Sequence, residues 1–554
     1  MNTDTKHKWW QDTLAYEIYV RSFKDSNGDG IGDLKGIIEK LDYLEQLNVG
    51  AIWLTPVYSS PMVDGGYDVA DYYSIDPLFG NMEDMQELIV QADRHHIKVV
   101  MDLVVNHTSN QCEWFQQSCQ SKDNKYSDFY IWKDAKEGGF PPNNWRSIFG
   151  GSAWSWCDQR KQYYLHTFAS AQPDLNWANP KVRQSMIDIA NYWIEKGVQG
   201  FRVDAIPYIK KPEDFSSGKP DNADGLVSIH DATANQEGIL DYLKEFNESL
   251  INREDIFTVG EANGVEAKQL NQWVGNDGVF DMLFEFSHIN LEFKGAEVWC
   301  QAKEWNLLDL KKALNDSQQA TKENGWVPIF FENHDKPRSV NHYFKDDCDL
   351  NLCAKTMATL LMTLRGTPFI YQGEEIGMSN TTWTLGESDD VNVHGQYEIA
   401  LQNHFSKEEA LNFVNQYSRD NARTPMQWNN EINAGFSTSV PWIHLNDNYL
   451  FVNVESEKEN PDSVLNWYKK LSQLRKESEI LKNGNYQSIL NEHPQIIAYI
   501  RNYENQSMLI LNNMTNKEAE FDISILKGYS LLLTSSKKIT DTLAPLESRI
   551  YMKQ

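Results

Sequence analysis

Apolar residues along the chain fall into two alternating patterns. One consists of short, continuous runs rich in β-branched and aromatic residues, which is typical of strands buried on both faces of a parallel sheet. The other, in stretches such as 34–47, 82–95 and 180–196, repeats apolar residues at the spacing of an amphipathic helix. This alternation predicts a parallel α/β fold, with strands at Ala51–Pro56, Ile97–Val105, Gly200–Asp204, Ile256–Glu261, Val327–Phe331 and Pro368–Tyr371.

Polar and charged residues cluster where these predicted strands end. His107, Asp204, Glu261 and Asp335 each terminate or closely follow an apolar run. Functional side chains at the carboxyl ends of parallel strands are typical of a (β/α)8 (TIM) barrel. The pattern therefore predicts a barrel with a site at one end.

The alternation is interrupted twice, which predicts three domains. Residues 108–177 are rich in Trp, Gly, Pro and Ser without helical periodicity, so we expect an irregular inserted subdomain there. From 478 to 554 short alternating strands predict a C-terminal antiparallel β domain, a β-sandwich. The barrel accordingly comprises residues 1–107 and 178–477, with a further insertion at about 379–418.

Composition excludes several classes of partner. Of 554 residues, 79 are acidic and 51 are Lys or Arg, which gives a net charge of −28. Such a surface repels phosphate backbones and anionic lipids, which argues against nucleic acid and membrane as partners. The chain has no apolar run of about 18 residues, no leader-like start and no zinc-ligand spacing among its six cysteines. These features predict a cytoplasmic protein with free thiols.

Three carboxylates at three strand ends are the strongest chemical signal. Arg202 lies two residues before Asp204, and strand positions two apart face the same side, so the pair is either a structural ion pair or an activated nucleophile. Glu261 ends a buried strand, a setting that suits a general acid, although a helix cap is the alternative. Asp335 follows His334 after a third strand. Buried carboxylates without a function are costly, so together the three favour a catalytic centre.

The segments that carry these residues resemble a known family. In their order along the chain they are similar to the four motifs of the α-amylase superfamily, glycoside hydrolase family 13. Two further segments, Gln172–Trp177 and Arg419–Trp428, place the resemblance in the branch of oligo-1,6-glucosidases, α-glucosidases and dextran glucosidases. The four motifs are matched by Asp102–His107, Gly200–Asp204, Val259–Glu261 and Asn333–Asp335.

The resemblance implies retaining hydrolysis of α-glucosides. Asp204 would be the nucleophile and Glu261 the acid and base, in a geometry with carboxyl groups about 5–5.5 Å apart. Asp335 would hold hydroxyl groups of the same sugar. Asp64 and Arg423 would grip the far hydroxyls and close the pocket beyond one glucose. The remaining implied wall residues are Tyr67, His107, Phe168, Gln172, Arg202 and His334.

A second motif predicts a metal site. Asp25, Asn27, Asp29 and Asp33 place oxygen ligands at alternate positions around glycines, which suits calcium. The segment resembles the start of an EF-hand loop but lacks its final glutamate, and no helix pair is expected, because Tyr16–Phe23 is predicted to be the first strand. In the related enzymes this loop binds calcium, with a carbonyl ligand that corresponds here to Ile31.

Linkage specificity is predicted from Ala205, the residue after the nucleophile. The resemblance implies Val at this position in isomaltose-cleaving relatives and Ala or Thr in relatives that cleave α-1,4 bonds. We therefore expect an exo-acting α-glucosidase for short oligosaccharides, with α-1,4 or broad preference and with transglucosylation as a second outcome. An oligo-1,6-glucosidase, a trehalose-6-phosphate hydrolase and a sucrose isomerase remain alternatives, although residues 289–296 lack the Arg-rich sequence of the isomerases and no basic pocket is evident. A non-catalytic transport subunit is disfavoured, because all three carboxylates are present.

Overall fold

The computed structural model describes residues 8–275, 278–293, 295, 297–344 and 347–553. Residues 1–7 of the predicted barrel, residue 554 of the predicted C-terminal domain, and residues 294 and 296 of the stretch compared with the isomerases lie outside the described residues. A parallel sheet dominates the described ranges. Its strands are β1 (Ala15–Ile18), β2 (Ala51–Leu54), β3 (Lys98–Val104), β4 (Gly200–Asp204), β5 (Phe257–Glu261), β6 (Met282–Phe284), β7 (Pro328–Ile329) and β8 (Thr367–Tyr371).

This sheet curves into a barrel. The spatial order is β6-β5-β4-β3-β2-β1-β8-β7, so its two ends, β6 and β7, are consecutive in the chain. Phe284 of β6 packs against Phe330, directly after β7, with ring centroids 4.9 Å apart, and against Phe369 of β8 at 5.0 Å. These buried rings fill the space between β6 and β7, the two end strands of the sheet. The predicted TIM barrel is confirmed.

Two strands differ from their predictions. The segment expected to be one strand, Tyr16–Phe23, divides into β1 and a helical turn at Val20–Phe23. The ladder ends because the backbone N–H of Tyr19 donates to the side chain of Gln372, and Val20 donates to Thr55. In addition, β6 was not predicted, since three residues are too few to show a periodic pattern.

Helices follow most of the strands and cover the outside of the barrel. The sequence specifies their starts: Asn81 accepts bonds from the N–H groups of Glu83 and Asp84, and Asn179 caps a helix that begins with Pro180. Stretch 34–47, predicted as one helix, forms two. The longer helices and this divided pair are Leu34–Ile38, Leu41–Gln46, Met82–Arg94, Pro180–Glu195, Ile239–Glu248, Leu307–Ala320, Leu350–Thr363, Val391–Gln402, Lys407–Tyr417 and Val464–Glu477.

The inserted segment after β3 has more regular structure than its sequence pattern indicates. It contains the helix Glu113–Gln120 and a three-stranded antiparallel sheet of Trp132–Lys133, Gln162–Leu165 and Trp154–Cys157. Its strand Trp145–Arg146 pairs with Val227–Ser228, from the connection after β4. Two segments distant in sequence therefore meet at the open end of the barrel.

The C-terminal region forms one five-stranded antiparallel sheet, where a two-sheet sandwich was expected. Its strands follow the order of the chain, except that the last one pairs between the third and the fourth. Its inner face packs on the barrel helices, and Arg501 donates to the carbonyl of Thr363 at 2.7 Å. Loop residues Ala519 and Leu543, joined by a bridge, cover the other face. No helix in the described ranges is long and apolar enough to cross a membrane. The strands are β9 (Asn485–Ile489), β10 (Ile496–Tyr503), β11 (Gln506–Asn513), β12 (Ser530–Thr534) and β13 (Ser548–Lys553).

Candidate active site

The three predicted carboxylates line one cavity at the carboxyl end of the barrel. Asp204 is the last residue of β4, Glu261 is the last residue of β5, and Asp335 lies six residues after β7. The cavity has a volume of about 200 Å³. Of the other predicted site residues, Asp64, Tyr67, His107, Phe168 and Ala205 also line it, whereas Gln172, Arg202, His334 and Arg423 lie behind its wall.

A single buried guanidinium joins the carboxylates of three neighbouring strands. Nη1 of Arg202 donates to both oxygens of Asp102, at 3.0 and 3.1 Å, and to Asp204 Oδ1 at 2.5 Å. Nη2 lies 3.0 Å from Glu261 Oε2. The alternating faces of β3 and β4 produce this contact, because residues 102 and 202 are register partners. Arg202 thus fixes the orientation of Asp204 and Glu261 together.

The charge on Asp204 depends on that of Glu261. Burial raises the pKa of Asp204, Arg202 lowers it, and the negative charges of Glu261 and Asp102 raise it further. The combined effect raises the pKa of Asp204 well above its usual value, and the negative charge of Glu261 contributes to that rise. Glu261 Oε2 also accepts a hydrogen bond from the backbone N–H of Ala205 at 3.1 Å. Asp204 and Glu261 therefore contact the same arginine and interact electrostatically with each other.

Asp335 lies in the opposite electrostatic environment. Its Oδ1 accepts a bond from Arg423 Nη2 at 2.7 Å, and its Oδ2 lies 3.3 Å from His334 Nε2. Burial raises the pKa of Asp335, but His334, Arg419 and Arg423 outweigh it and hold that pKa well below its usual range. Asp335 is therefore a permanent carboxylate acceptor facing the cavity.

His334 is held between two carboxylates. Its Nδ1 lies 2.5 Å from Glu17 Oε1 of β1, and its ring stacks on Tyr67 with centroids 5.3 Å apart. Burial lowers the pKa of His334, but Asp335 and Glu17 raise it to about 9. The Tyr67 hydroxyl donates to Asp102 at 2.8 Å and contacts His334 Nε2 at 2.7 Å. Tyr67 is thereby fixed as one wall of the cavity.

The closed end of the cavity is formed by Asp64 and Arg419, not by Asp64 and Arg423 as predicted. Arg419 Nη2 bonds Asp64 Oδ1 at 2.9 Å, and its Nη1 lies 3.4 Å from Asp335 Oδ1. Arg423, fully buried, donates instead to Asp335 and to the carbonyl of His334, so it acts behind the wall. Both arginines belong to the predicted motif 419–428. A spacing of four residues places both on one side of this helical turn, so the sequence offers Arg419 as a second candidate but does not separate it from Arg423.

Gln172, His107 and Phe168 complete this end. Gln172 Nε2 donates to Asp64 Oδ2 at 3.0 Å and contacts His107 Nε2 at 3.1 Å. Burial lowers the pKa of His107, so the ring is neutral near pH 7. Phe168 packs on His107 and on Tyr208, with centroids 5.1 and 5.6 Å apart.

The other walls contain residues that the sequence did not single out. Their cations are all paired: Arg146 bonds Asp224 through Nη1 and Asp221 through Nη2, and Lys336 bonds Glu297 at 2.6 Å. Because these charges are neutralised locally, the described residues of these walls present no free cation to the cavity. Other members of these walls are Tyr208, His230, Asn263, Ile289, Asn290, Glu292 and His342.

The predicted calcium loop is compact and hydrogen-bonded within itself. Asp25 accepts bonds from the N–H groups of Asn27, Gly28 and Gly30 and from the Ser437 hydroxyl. Burial raises the pKa of Asp25, but these hydrogen bonds outweigh burial and hold the pKa below its usual value. Gly28 and Gly30, with φ of 83° and 92°, allow the chain to turn tightly here. The other predicted calcium ligands in this loop are Asn27, Asp29, Asp33 and the carbonyl of Ile31.

Comparison with known proteins agrees with this architecture. Residues 17–484 match the family description "Alpha amylase, catalytic domain", and residues 486–543 match "Maltogenic Amylase, C-terminal domain". The chain belongs to glycoside hydrolase family 13.

Individual family 13 relatives match over nearly the full length. An oligo-1,6-glucosidase of Heyndrickxia coagulans is 43% identical, over 98% of this chain and 99% of the relative. The solved structure of a trehalose-6-phosphate hydrolase from Bacillus licheniformis is 40% identical with a TM-score of 0.89, covering 99% and 100% of the two chains. An isomaltulose synthase from Protaminobacter rubrum is 38% identical with a TM-score of 0.94 and the same coverage. The two solved structures share the fold of this chain, and the three relatives differ in their named reactions. Together with the family match they show that the chain is an α-glucosidase-type hydrolase, as its motifs predicted.

Proposed function

We propose that this family 13 hydrolase is a retaining, exo-acting α-glucosidase that releases single glucose units from short α-glucosides. The observation that carries the proposal is the contact of one guanidinium, Arg202, with both Asp204 and Glu261 at the mouth of the barrel. Such a bridge suits two carboxyl groups about 5–5.5 Å apart, the separation of retaining enzymes.

In the first proposed step, Asp204 attacks the anomeric carbon while the bond to the glycosidic oxygen breaks. Glu261 gives its proton to that oxygen, so the leaving sugar departs neutral and a glucosyl ester forms on Asp204. Loss of the proton leaves a negative charge on Glu261, and Arg202, 3.0 Å away, compensates it. In the second step Glu261 takes a proton from water, whose oxygen attacks the same carbon and releases Asp204. Two inversions retain the α configuration.

The proposed exo action follows from the closed end. Arg419, Asp64 and Gln172 form a continuous chain of hydrogen bonds beyond the position of one sugar, and Asp335 faces the same space. These groups offer both donors and acceptors to sugar hydroxyls. A longer chain extending past this clamp would break the Arg419–Asp64 pair, which is expensive for buried charges.

For linkage we propose α-1,4 or broad preference, with maltose cleaved faster than isomaltose. The proposal rests on Ala205, which is buried and lines the cavity directly after Asp204. A small side chain leaves room that a branched one would fill. The second candidate is an oligo-1,6-glucosidase, and the names of several relatives favour it.

Two other activities of this fold receive less support. A phosphorylated disaccharide would need a free cation, but Arg146, Lys336 and Arg419 are each paired with carboxylates. Stretch 289–296 lacks the Arg-rich sequence expected of a sucrose isomerase.

Transglucosylation uses the same glucosyl ester and differs only in whether water or a sugar hydroxyl attacks it.

We also propose that loop 25–33 holds a structural calcium ion. Its oxygen donors, from Asp25, Asn27, Asp29, Asp33 and the Ile31 carbonyl, are the type that calcium takes. The three aspartates do not all converge within 4.8 Å, since among the described residues only Asp42, Glu45 and His95 form such a group. Calcium does not require such convergence, because oxygens on opposite sides of the ion are up to about 5 Å apart. When bound, the ion would stabilise the loop rather than take part in hydrolysis.

One experiment tests the proposed activity. The purified protein is incubated with maltose, isomaltose, nigerose, kojibiose, sucrose, trehalose and trehalose-6-phosphate, and products are followed by proton NMR. We expect glucose to appear first as the α anomer, and maltose to be consumed fastest or alongside several linkages. Initial β-glucose would refute the retaining mechanism, and cleavage of isomaltose alone would favour the second candidate.

A further inference from the structure

Two cysteines of the inserted segment face each other outside the active-site cavity. Cys119 lies in the last turn of the helix Glu113–Gln120, and Cys157 ends the strand Trp154–Cys157. Cys119 is 8% exposed and belongs to the apolar core, whereas Cys157 is partly exposed and packs against that core. Both are free thiols, and neither lines the cavity or takes part in the proposed mechanism.

The local register brings these two side chains together. The antiparallel ladder pairs residue 155 with residue 164, and alternate residues of a strand share a face, so Cys157 and Tyr164 lie on the same face of the hairpin. The Tyr164 ring packs on Phe115 of the helix, with centroids 5.0 Å apart. Phe115 and Cys119 are four residues apart and therefore lie on one side of that helix. The face that carries Cys157 thus packs on the helical side that carries Cys119.

The two thiols are in direct contact and share a positively charged neighbour. A hydrogen bond links one thiol to the other. Arg160, in the turn after Cys157, donates to the carbonyls of Ser118 and Ser121, at 2.5 and 2.9 Å, and so fixes this turn to the end of the helix. The charge of Arg160 acts on both thiols. A nearby guanidinium stabilises a thiolate, which is the form of cysteine that reacts.

We propose that Cys119 and Cys157 are a modification site at which a low-molecular-weight disulfide oxidises the pair to a reversible protein disulfide. The more accessible Cys157 thiolate attacks one sulfur of the small disulfide and releases one thiol, which leaves a mixed disulfide on Cys157. Cys119 then loses its proton and attacks the Cys157 sulfur, so the second small thiol departs. Two protein thiols are oxidised, and the small disulfide is reduced to two thiols that take the two protons.

Burial assigns the second step to Cys119. It raises the pKa of Cys119 to about 12, with the charge of Cys157 adding to the effect, so the Cys119 thiolate is scarce until the mixed disulfide places a reactive sulfur beside it. The bond would close a loop from residue 119 to residue 157, and such a cross-link stabilises a protein mainly by restricting its unfolded chain. Because both sulfurs lie outside the cavity, oxidation should act on stability rather than on turnover. The inference does not depend on the proposed function.

The test uses the full-length, reduced protein and oxidised glutathione. After incubation at mildly alkaline pH the remaining thiols are alkylated, and tryptic peptides are identified by mass spectrometry. Trypsin cleaves between the two cysteines, for example at Lys133, so the bond would join two separate peptides. Cys119→Ser and Cys157→Ser each remove one sulfur. Cys300→Ser is the matched control, because Cys300 is a partly exposed cysteine elsewhere in the fold.

We expect linked peptides that contain Cys119 and Cys157 in the unmodified protein and in Cys300→Ser, with a rise in the unfolding midpoint of at least about 3 °C that dithiothreitol reverses. Cys119→Ser should stop at a mixed disulfide on Cys157, and Cys157→Ser should leave Cys119 unreacted. A mixed disulfide that persists on Cys157 in the unmodified protein, or alkylation of both thiols, would overturn the inference, and this result needs no variant to fold. Linked peptides with an unchanged midpoint would refute the stabilising effect.

Discussion

Replacing Ala205 by Val should move specificity towards isomaltose at a cost in stability. Ala205 has φ 49° and ψ 33°, a left-handed conformation, and is 4% exposed. Its N–H donates to Glu261, so the backbone cannot relax without disturbing the proposed acid. Any residue with a Cβ, Ala included, bears about 1–2 kcal/mol in this conformation, and a β-branched side chain is disfavoured there more strongly than Ala.

The effect on specificity can be larger than the effect on stability. Two added methyl groups would occupy space beside Asp204, where the leaving sugar is expected. A difference of one methylene in a pocket is worth about 1–3 kcal/mol, or about 10–200-fold. We therefore expect the ratio of kcat/KM for isomaltose to that for maltose to rise at least about tenfold in Ala205→Val.

The assay measures kcat/KM for maltose and for isomaltose on one preparation, together with the thermal unfolding midpoint. Ala205→Thr is the matched control, because Thr has the shape of Val and differs in one hydroxyl group. If bulk is the determinant, both variants shift the ratio, and if apolar contact is required only Val does. Ala205→Gly should relieve the backbone strain, because glycine adopts this left-handed conformation freely, so strain should not lower its unfolding midpoint. Unmodified protein that cleaves isomaltose far faster than maltose, or a Val variant with an unchanged ratio, would refute the reasoning.

Four further predictions concern catalysis, the clamp, the metal and pH. Asp204→Asn and Glu261→Gln should each lower turnover by about 10²–10⁴-fold with an unchanged circular dichroism spectrum, and near-normal turnover in a folded variant would contradict the assigned roles. Arg419→Lys keeps the charge but cannot bridge two carboxylates, so kcat/KM for maltose should fall more than tenfold, as steady-state kinetics would show (~1.4 kcal/mol). Chelation should lower the unfolding midpoint more than the turnover at saturating substrate, and an unchanged midpoint after metal removal verified by elemental analysis would exclude the calcium site. Because the pKa of His334 is raised to about 9, its stabilising contribution of about 3 kcal/mol is complete below about pH 6.5 and is lost as the pH rises through 9. His334→Gln should remove that part of the pH dependence of the unfolding midpoint. An identical pH dependence in the variant would contradict the prediction.

The barrel could be predicted because six of its strands are continuous apolar runs, a pattern that depends only on burial. Strand β6, with three residues, is too short for that signal and was not predicted, whereas β7 was predicted at Val327–Phe331 and is observed over Pro328–Ile329. The turn after β1 depends on Gln372, more than 350 residues away, so no local pattern could reveal it.

The carboxylates of the candidate site could likewise be predicted, because strand ends determine their positions. The choice between Arg419 and Arg423 could not, since both have the right chemistry and only the tertiary contact with Asp64 separates them.

The closed end of the cavity also has a consequence for how the chain folds. Asp64 and Arg419 are 355 residues apart in sequence, and Gln172, which bonds Asp64, is 108 residues away. Contacts of such long range form late, because the entropy of closing large loops opposes them. Partly folded chains would therefore lack the proposed glucose pocket even when their strands have formed. A ligand that fits the pocket would bind only the completed fold, so during refolding its binding would report the final assembly step rather than the formation of secondary structure.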